Sequence, residues 1–313
     1  MVDVLLAFAV DLVFGDPYGF PHPVRGIGWL VAKTERFIRN RFTTARGLKV
    51  SGTFMAFCVP ALVWGVAFSV LEIAGFIHPL LYHLLNILML YTTLSVKSLG
   101  YEVGKVHKAL RKGDIVGAQK ALSYLVSRET KDLDDQGIIR AAVETVAENT
   151  VDGVISPLFY AFLGGAPLAM CYKAINTLDS MVGYKNEKYI HLGWASARLD
   201  DLANFIPARL AGLIIPLASG VCGFHMFNSF RIVLRDRRNH ASPNAGFPEA
   251  AVAGALGVQL GGESTYFGKK IKKPTLGDPM VPLEPKHIKA GIRIMYTAAT
   301  IMVTAGFLIS RWV

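Results

Sequence analysis

Charge is scarce in this chain, and acidic charge scarcest: 23 Asp and Glu stand against 33 Lys and Arg, and charged residues make up only 18% of 313. With 52% apolar residues and a mean hydropathy of +0.38, the shortage excludes an ordinary soluble domain and reads as a membrane protein. Cysteine is scarcer. Cys58, Cys171 and Cys222 lie far apart inside apolar runs, which offers neither a disulfide framework nor metal-ligand spacing and leaves small core or lipid-facing residues. The N-terminus lacks a basic n-region and carries Asp3 and Asp11 in its first apolar stretch, so no cleavable signal peptide is expected. No repeat or low-complexity tract is present. A P-loop is also missing: between Gly262 and Lys269 the glycines are separated by five residues where four are needed, and Lys270 stands where Ser or Thr should follow the lysine. Any ATP site is therefore of another kind.

What the chain does have is apolar runs bordered by basic ones. The formal charge of +10 would suit a nucleic-acid binder, but no aromatic and basic interleaving marks such a module, so no nucleic-acid partner is expected. The cations cluster beside apolar segments, as in loops facing anionic lipid. Spanning a bilayer takes about 20 apolar residues. Residues 52–77 and 80–96 meet that length and are separated only by His78 and Pro79, which predicts a tight helical hairpin. Basic loops flank it, Lys33 to Lys49 before and Lys97 to Lys120 after, placing both on the cytoplasmic side by the positive-inside rule. A third span is expected over 292–309. The segments 154–178 and 205–227 are broken by Gly and Pro; full crossings are compatible with the charge pattern, but broken helices at membrane depth belong where they line an enclosed cavity, and a partly re-entrant pair is preferred. The opening 2–14 is too short for a standard crossing and lies at the interface or packs inside the bundle. The fold expected is all-α: a polytopic helical integral membrane protein, one domain over 1–313, with broken or re-entrant helices and polar cytoplasmic insertions at 98–152, turning near Lys112 to Asp114, and at 228–290.

Polar residues gather in four blocks. "GDPYGFPHPVRGIG", from Gly15, supplies Asp16, His22 and Arg25 among turn-formers. "RAAVETVAENTVDG", from Arg140, sets Arg140, Glu144, Glu148 and Asp152 at four-residue intervals, with Asn149 beside them. On a helix that spacing makes one charged stripe opposite Ile139, Val143 and Val146, and like charges so placed repel by roughly 0.2–0.5 kcal/mol per pair. The stripe is thus either a solvated face or a metal site. The third block, Asn176 to Leu210, carries Asn176, Asp179, Asp200, Asp201 and Asn204 at helical spacing, with Lys185, Arg198 and Arg209 as nearby cations. Asp and Asn oxygens suit Mg2+, which takes one or two carboxylates and completes its shell with phosphates and water; the cations' plainer role is to neutralise the acids. The fourth, "RDRRNHASPNAGFPEAAVAGAL", brings Arg235, Arg238, His240 and Asn244 ahead of a small-residue helix, an arrangement suited to phosphate or simply to anchoring at the membrane face.

Those blocks, with "NTLDSMVGYKNEKY" and "ARLDDLANFIPARL" in register between them, resemble the CobD/CbiB family of cobalamin biosynthesis, the adenosylcobinamide-phosphate synthases, from about Asp11 to Gly277. The resemblance implies a membrane ligase of the vitamin B12 route that joins adenosylcobyric acid, a corrinoid, to (R)-1-aminopropan-2-yl phosphate or ethanolamine phosphate with consumption of ATP and dependence on Mg2+. It also implies a cell-membrane location with an active site reachable from the cytoplasm, and suggests other B12-pathway enzymes as partners. Within that reading Glu144, Glu148, Asp152, Asp179, Asp200 and Asp201 are the catalytic candidates. Glu144, Glu148, Asp200 and Asp201 are the metal ligands. Asn149, Asn176 and Asn204 support them, Arg235, Arg238 and His240 hold phosphates, and Asp16, His22 and Arg25 close the pocket, with Lys185, Arg198, Arg209 and Asn244 as further binding residues. Two other classes compete: a Mg-dependent membrane transferase of alcohol phosphates or prenyl chains, whose longer Asp spacing is absent here, and a transporter or sensor built on the same scaffold.

Overall fold

The computed structural model describes residues 1–17, 19, 22–266 and 269–310; Tyr18, Phe20 and Pro21 of the turn-rich block lie outside them. In chain order the elements are α1 Val2–Phe14, α2 Pro23–Arg41, α3 Ala45–Ile77, α4 Pro79–Tyr91, α5 Val96–Arg111, α6 Ile115–Ser123, α7 Asp135–Thr150, a π-helical stretch Val151–Ile155, α8 Ser156–Val182, α9 Trp194–Ala203, α10 Phe205–Val221, α11 Met226–Asp236, α12 Gly246–Leu256, the strands β1 Leu260–Tyr266 and β2 Lys269–Leu276, and α13 Pro285–Ile309. The protein is helical and polytopic. Among the described residues four helices are long and apolar enough to cross a membrane, or five if the pair Trp194–Ala203 and Phe205–Val221 forms one broken span. The chain divides into two compact units, Met1–Ser95 with Ser156–Asn204 and Ala305–Val313, and Val96–Ile155 with Phe205–Thr304.

In the first unit α3 packs on α8 and α9, and α2 on α8, around Ile27, Val31, Val59, Leu178, Val182 and Leu192. Gly52 lets α3 approach so closely that a Cβ there would collide with the Leu192 carbonyl. The opposite face of α3 shows Phe54, Phe57 and Phe76 to the surroundings, Phe76 at 94% exposure; a soluble protein would hide such a face, and a lipid-facing one has no reason to. Lys33 sits over Trp29 and Lys49 over Trp194, the cation and aromatic pairing expected at a membrane interface. The hairpin turn is a single residue: His78 ends α3 and accepts the Leu80 amide on Nδ1 at 3.1 Å, with Pro79 opening α4.

Helix α8 is broken where the glycines stand. Gly164 and Gly165 leave helical geometry, Gly165 at φ 64°, a region that costs only glycine nothing. The amide thereby freed at Ala166 donates to Asn86 Oδ1 at 3.3 Å, and Asn86 Nδ2 donates to buried Asp3 of α1 at 2.6 Å. A side chain has replaced the missing helical acceptor, as backbone buried from water requires. The 13-residue α1 packs on α4 and α8.

In the second unit Asp114 Oδ1 caps α6 through the Gly117 amide at 2.8 Å, just after the Lys112–Gly113 turn. Helix α12 is buried along almost its whole length, its Ala and Gly residues permitting close packing on α11. Two findings depart from the sequence-based expectation. The strands Leu260–Tyr266 and Lys269–Leu276 pair antiparallel, anchored by buried Leu260 opposite Leu276, where only helix was expected. And α7 is buried on nearly every side from Ile138 to Ala147, so it is a core helix and not an amphipathic one with a single wet edge.

Candidate functional site

The third polar block is the one that converges. At the end of α9, Asp200 accepts hydrogen bonds on both oxygens, from Asn176 Nδ2 of α8 at 3.3 Å on Oδ1 and from Asn204 Nδ2 at 3.0 Å on Oδ2. Asn204 is itself held: its Oδ1 accepts the Ser156 hydroxyl at 2.6 Å and the Tyr172 hydroxyl at 2.9 Å. It is 2% exposed, so those hydroxyls have no water to turn to and fix the amide's orientation. Tyr160 stacks on Tyr172 with ring centroids 5.1 Å apart and donates to the Ala203 carbonyl at 2.8 Å, closing the end of α9. The charges of Asp179 and Asp201 act on Asp200. Those of Arg198 and Lys185 act on Asp201, whose Oδ2 lies 3.9 Å from Arg198. One turn before Asp200, Ser196 is buried, and its hydroxyl has no hydrogen-bond partner among the described residues. Sequence reasoning missed Ser196, Ser156 and Tyr172 because each is an ordinary helical residue by pattern. Asn176, Asp179, Lys185, Arg198, Asp200, Asp201 and Asn204 are thus one neighbourhood.

The turn-rich block makes its own cluster in the same unit. Asp16 Oδ1 and His22 Nε2 are 3.2 Å apart, His22 Nδ1 caps α2 through the Val24 amide at 3.3 Å, and Tyr91 donates its hydroxyl to the Gly15 carbonyl. Arg25 is exposed on the first turn of α2.

The residues of the second unit are placed differently from expectation. Glu144 is 4% exposed. Its Oε2 pairs with Arg128 at 2.6 Å, and its Oε1 accepts the Gly261 amide at 2.8 Å. Arg140 donates to the carbonyl of that same Gly261 at 3.2 Å, so α7 grips both backbone groups at the root of the β-hairpin. Both oxygens of Glu144, expected from the sequence as a metal ligand, are thus engaged within the protein, one by a cation and one by a backbone amide. The stripe is not continuous either. Glu148 is exposed, and Asp152 is half-buried inside the π-helical stretch, whose i→i+5 bonding abandons the four-residue register that would align it with Glu144. Asn149 donates to the Thr145 carbonyl at 3.0 Å.

The basic block is largely self-satisfied. Arg235 forms a two-pronged pair with Asp236 at 2.7 and 2.8 Å and reaches Asp278 at 2.8 Å, and Asp236 also takes the Gly277 amide at 2.8 Å. The Arg235 guanidinium, chiefly, and the Gly277 amide hold the Asp236 carboxyl below its usual range, against the opposing effect of burial. His240 Nδ1 accepts the Ser242 amide at 3.0 Å, and its Nε2 lies 3.6 Å from buried Glu249. Ser242 Oγ accepts the Asn244 and Ala245 amides at 3.3 Å, so the turn ahead of α12 is already capped by its own serine. Arg209 stacks on Phe205 at 3.3 Å and on Phe247 at 4.8 Å, and donates to Asn244 Oδ1 at 3.2 Å. Arg238 is exposed.

Among the described residues no group of three or more His, Cys, Asp or Glu side chains is placed to hold a metal ion. What the Asp200 neighbourhood does fit is the sparse kind of Mg2+ site, in which one or two carboxylates are oriented by amides and the rest of the shell comes from phosphate and water.

A family model described as "CobD/Cbib protein" matches residues 4–295. A cobalamin biosynthesis protein CobD of Geobacter metallireducens is 50% identical over 300 residues, covering 96% of this chain and 93% of that one. Its namesake from Clostridium tetani is 46% identical over 303 residues, covering 97% and 95%. The cobalamin biosynthesis protein CbiB of Salmonella typhimurium is 47% identical over 296 residues, covering 95% and 93%. No solved structure matches the chain.

Proposed function

Because the chain belongs to the CobD/CbiB family and so has its role in cobalamin biosynthesis, we propose that it is the ATP-dependent ligase that joins adenosylcobyric acid to an amino-alcohol phosphate, giving adenosylcobinamide phosphate. A carboxylate is a poor electrophile at neutral pH, so amide formation needs activation. Transfer of the terminal phosphoryl group of ATP to that carboxylate gives an acyl phosphate and ADP; the amine then attacks the acyl carbon, phosphate leaves, and the surplus proton of the amine passes to a protein carboxylate.

The observation that carries this reading is the doubly held Asp200. Phosphoryl transfer asks the protein mainly for positioning and for fixed groups that need not reorganise, and Asp200 is oriented by two amides, one locked by two hydroxyls. Bound Mg2+ would supply charge neutralisation of the nucleotide phosphates, with Asp200 and Asp201 as its protein ligands. Asn176 and Asn204 fix the Asp200 plane, Arg198 and Lys185 offset the acids and attract phosphate, and Asp179 is the candidate acceptor for the amine's proton. Asp16, His22 and Arg25 are assigned to closing the pocket. Arg209, Arg238, His240 and Asn244 are assigned to phosphate recognition, with Glu148, Asn149 and Asp152 as polar support in the second unit. ATP, adenosylcobyric acid and the amino-alcohol phosphate are water-soluble, so a site reachable from the cytoplasmic face of the cell membrane follows from the reading.

The test is reconstitution. Purified protein in detergent, given adenosylcobyric acid, (R)-1-aminopropan-2-yl phosphate or ethanolamine phosphate, ATP and Mg2+, is expected to release adenosylcobinamide phosphate, ADP and phosphate in equal amounts. Amide formation without nucleotide turnover, or no product with either amine, contradicts the proposal.

A further inference from the structure

A cavity of about 760 Å³ in the second unit involves none of the residues assigned above. Its size is that of a small-molecule site. It is lined by α5, by the Phe224–His225 connection, by the end of α12 and by the first turns of α13. Gly100 and Gly104 stand one turn apart on α5: a Cβ at Gly104 would meet nothing within 4 Å, whereas one at Gly100 would collide with the Tyr296 ring. Other walls are apolar, including Leu256, Val281 and Ile292.

The polar lining has one sign. Lys108, Lys286, Lys289 and Arg293 contribute cations, His107, His225 and His287 imidazoles, and no Asp or Glu is among the lining residues. Lys286 pairs with Glu284 at 3.0 Å. Lys108, Lys289 and Arg293 are exposed and reach the cavity from two helices. Buried His287 accepts the Glu284 amide on Nδ1 at 2.9 Å, which leaves Nε2 to carry the ring proton as a donor. Helix α13 is long and apolar enough to cross a membrane, and its cations lie in the first turns, Lys286 to Arg293, ahead of the apolar remainder. A basic, apolar-walled cleft at the end of a spanning helix sits at the depth of lipid headgroups.

We propose that this cavity binds an anionic phospholipid, the headgroup phosphate against Lys108, Lys289 and Arg293 and the adjoining glycerol and first acyl carbons against the apolar walls. Free phosphate offers the same charge but nothing for those walls. The inference does not depend on the ligase reading, and its test does not use activity.

Native mass spectrometry of the full chain, released from detergent with phosphatidylglycerol or phosphatidylcholine of identical acyl chains, reads the preference directly. Wild type is expected to retain phosphatidylglycerol roughly fivefold more than phosphatidylcholine, and K108Q/K289Q/R293Q to retain the two alike. A control variant that removes as much charge elsewhere, R41Q/R46Q/K49Q, is expected to keep the preference. Equal retention by wild type, an unchanged preference in the cavity variant, or an equal loss in the control overturns the proposal. So does displacement of the lipid by millimolar inorganic phosphate at constant ionic strength, which would assign the site to a soluble anion. Circular dichroism of each variant confirms that it is folded before its lipid spectrum is read.

Discussion

Asn204 faces two ways: its Nδ2 donates to Asp200 at 3.0 Å while its Oδ1 accepts from Tyr172 at 2.9 Å and from Ser156. Replacement by Asp keeps the acceptor for the hydroxyls and exchanges the donor for a charge that repels Asp200. N204D is therefore expected to unfold close to the wild-type temperature and to turn over about tenfold more slowly or worse. N204L removes the acceptor that the buried Ser156 and Tyr172 hydroxyls share and is expected to lose about 1–3 kcal/mol of stability. Thermal unfolding in detergent, paired with turnover, separates the two; equal behaviour of the variants would contradict the arrangement.

Glu144 is expected to matter for stability and not for metal. E144A takes the Glu144 carboxylate away from Arg128, 11% exposed, and breaking a buried pair by removing one partner costs about 3 kcal/mol or more. Whatever activity remains should show the wild-type Mg2+ concentration dependence. A raised Mg2+ requirement with unchanged thermal stability would restore Glu144 to the metal.

The Arg235 and Asp236 pair predicts an acid-side sensitivity. The folded state holds the Asp236 carboxyl below its ordinary value, so the unfolded chain binds the proton more readily. The pair's stabilisation is complete above the unfolded pKa of about 3.9 and is lost as pH falls through the lower folded value. D236N should be less stable than wild type at neutral pH, and that gap should narrow as pH drops below about 4. Melting temperatures of both proteins across an acid series check it; a constant gap contradicts it.

The apolar runs and their punctuation are legible in the sequence because a bilayer imposes length and glycine and proline impose breaks. Thus α3 and α4 meet at His78, and α8 breaks at Gly164 and Gly165, in apolar stretches whose limits local chemistry marks. The proximity of Asp200 and Asn204 is legible too, since four residues make one turn. What local pattern does not carry is partnership at a distance. Arg128 has no motif to tie it to Glu144, and the burial of α7 arises from neighbours that cover its polar side as well as its apolar one. The π-helical stretch at Val151 shifts Asp152 out of a register that spacing alone would assign. The hairpin of β1 and β2 escapes because its glycine and lysine content resembles a loop, and its anchors, Leu260 and Leu276, become visible only once paired.

Single-turnover kinetics of D200N against wild type, across a Mg2+ titration, measure the matter most directly. Asn preserves the shape of the side chain and leaves the contacts of Asn204 to Ser156 and Tyr172 in place; it removes the charge and turns one of the two oxygens to which Asn176 and Asn204 donate into a donor. Formation of adenosylcobinamide phosphate should fall by about a hundredfold or more, with a higher Mg2+ requirement and an intact fold. Wild-type rates at every Mg2+ concentration would place the chemistry somewhere other than the end of α9.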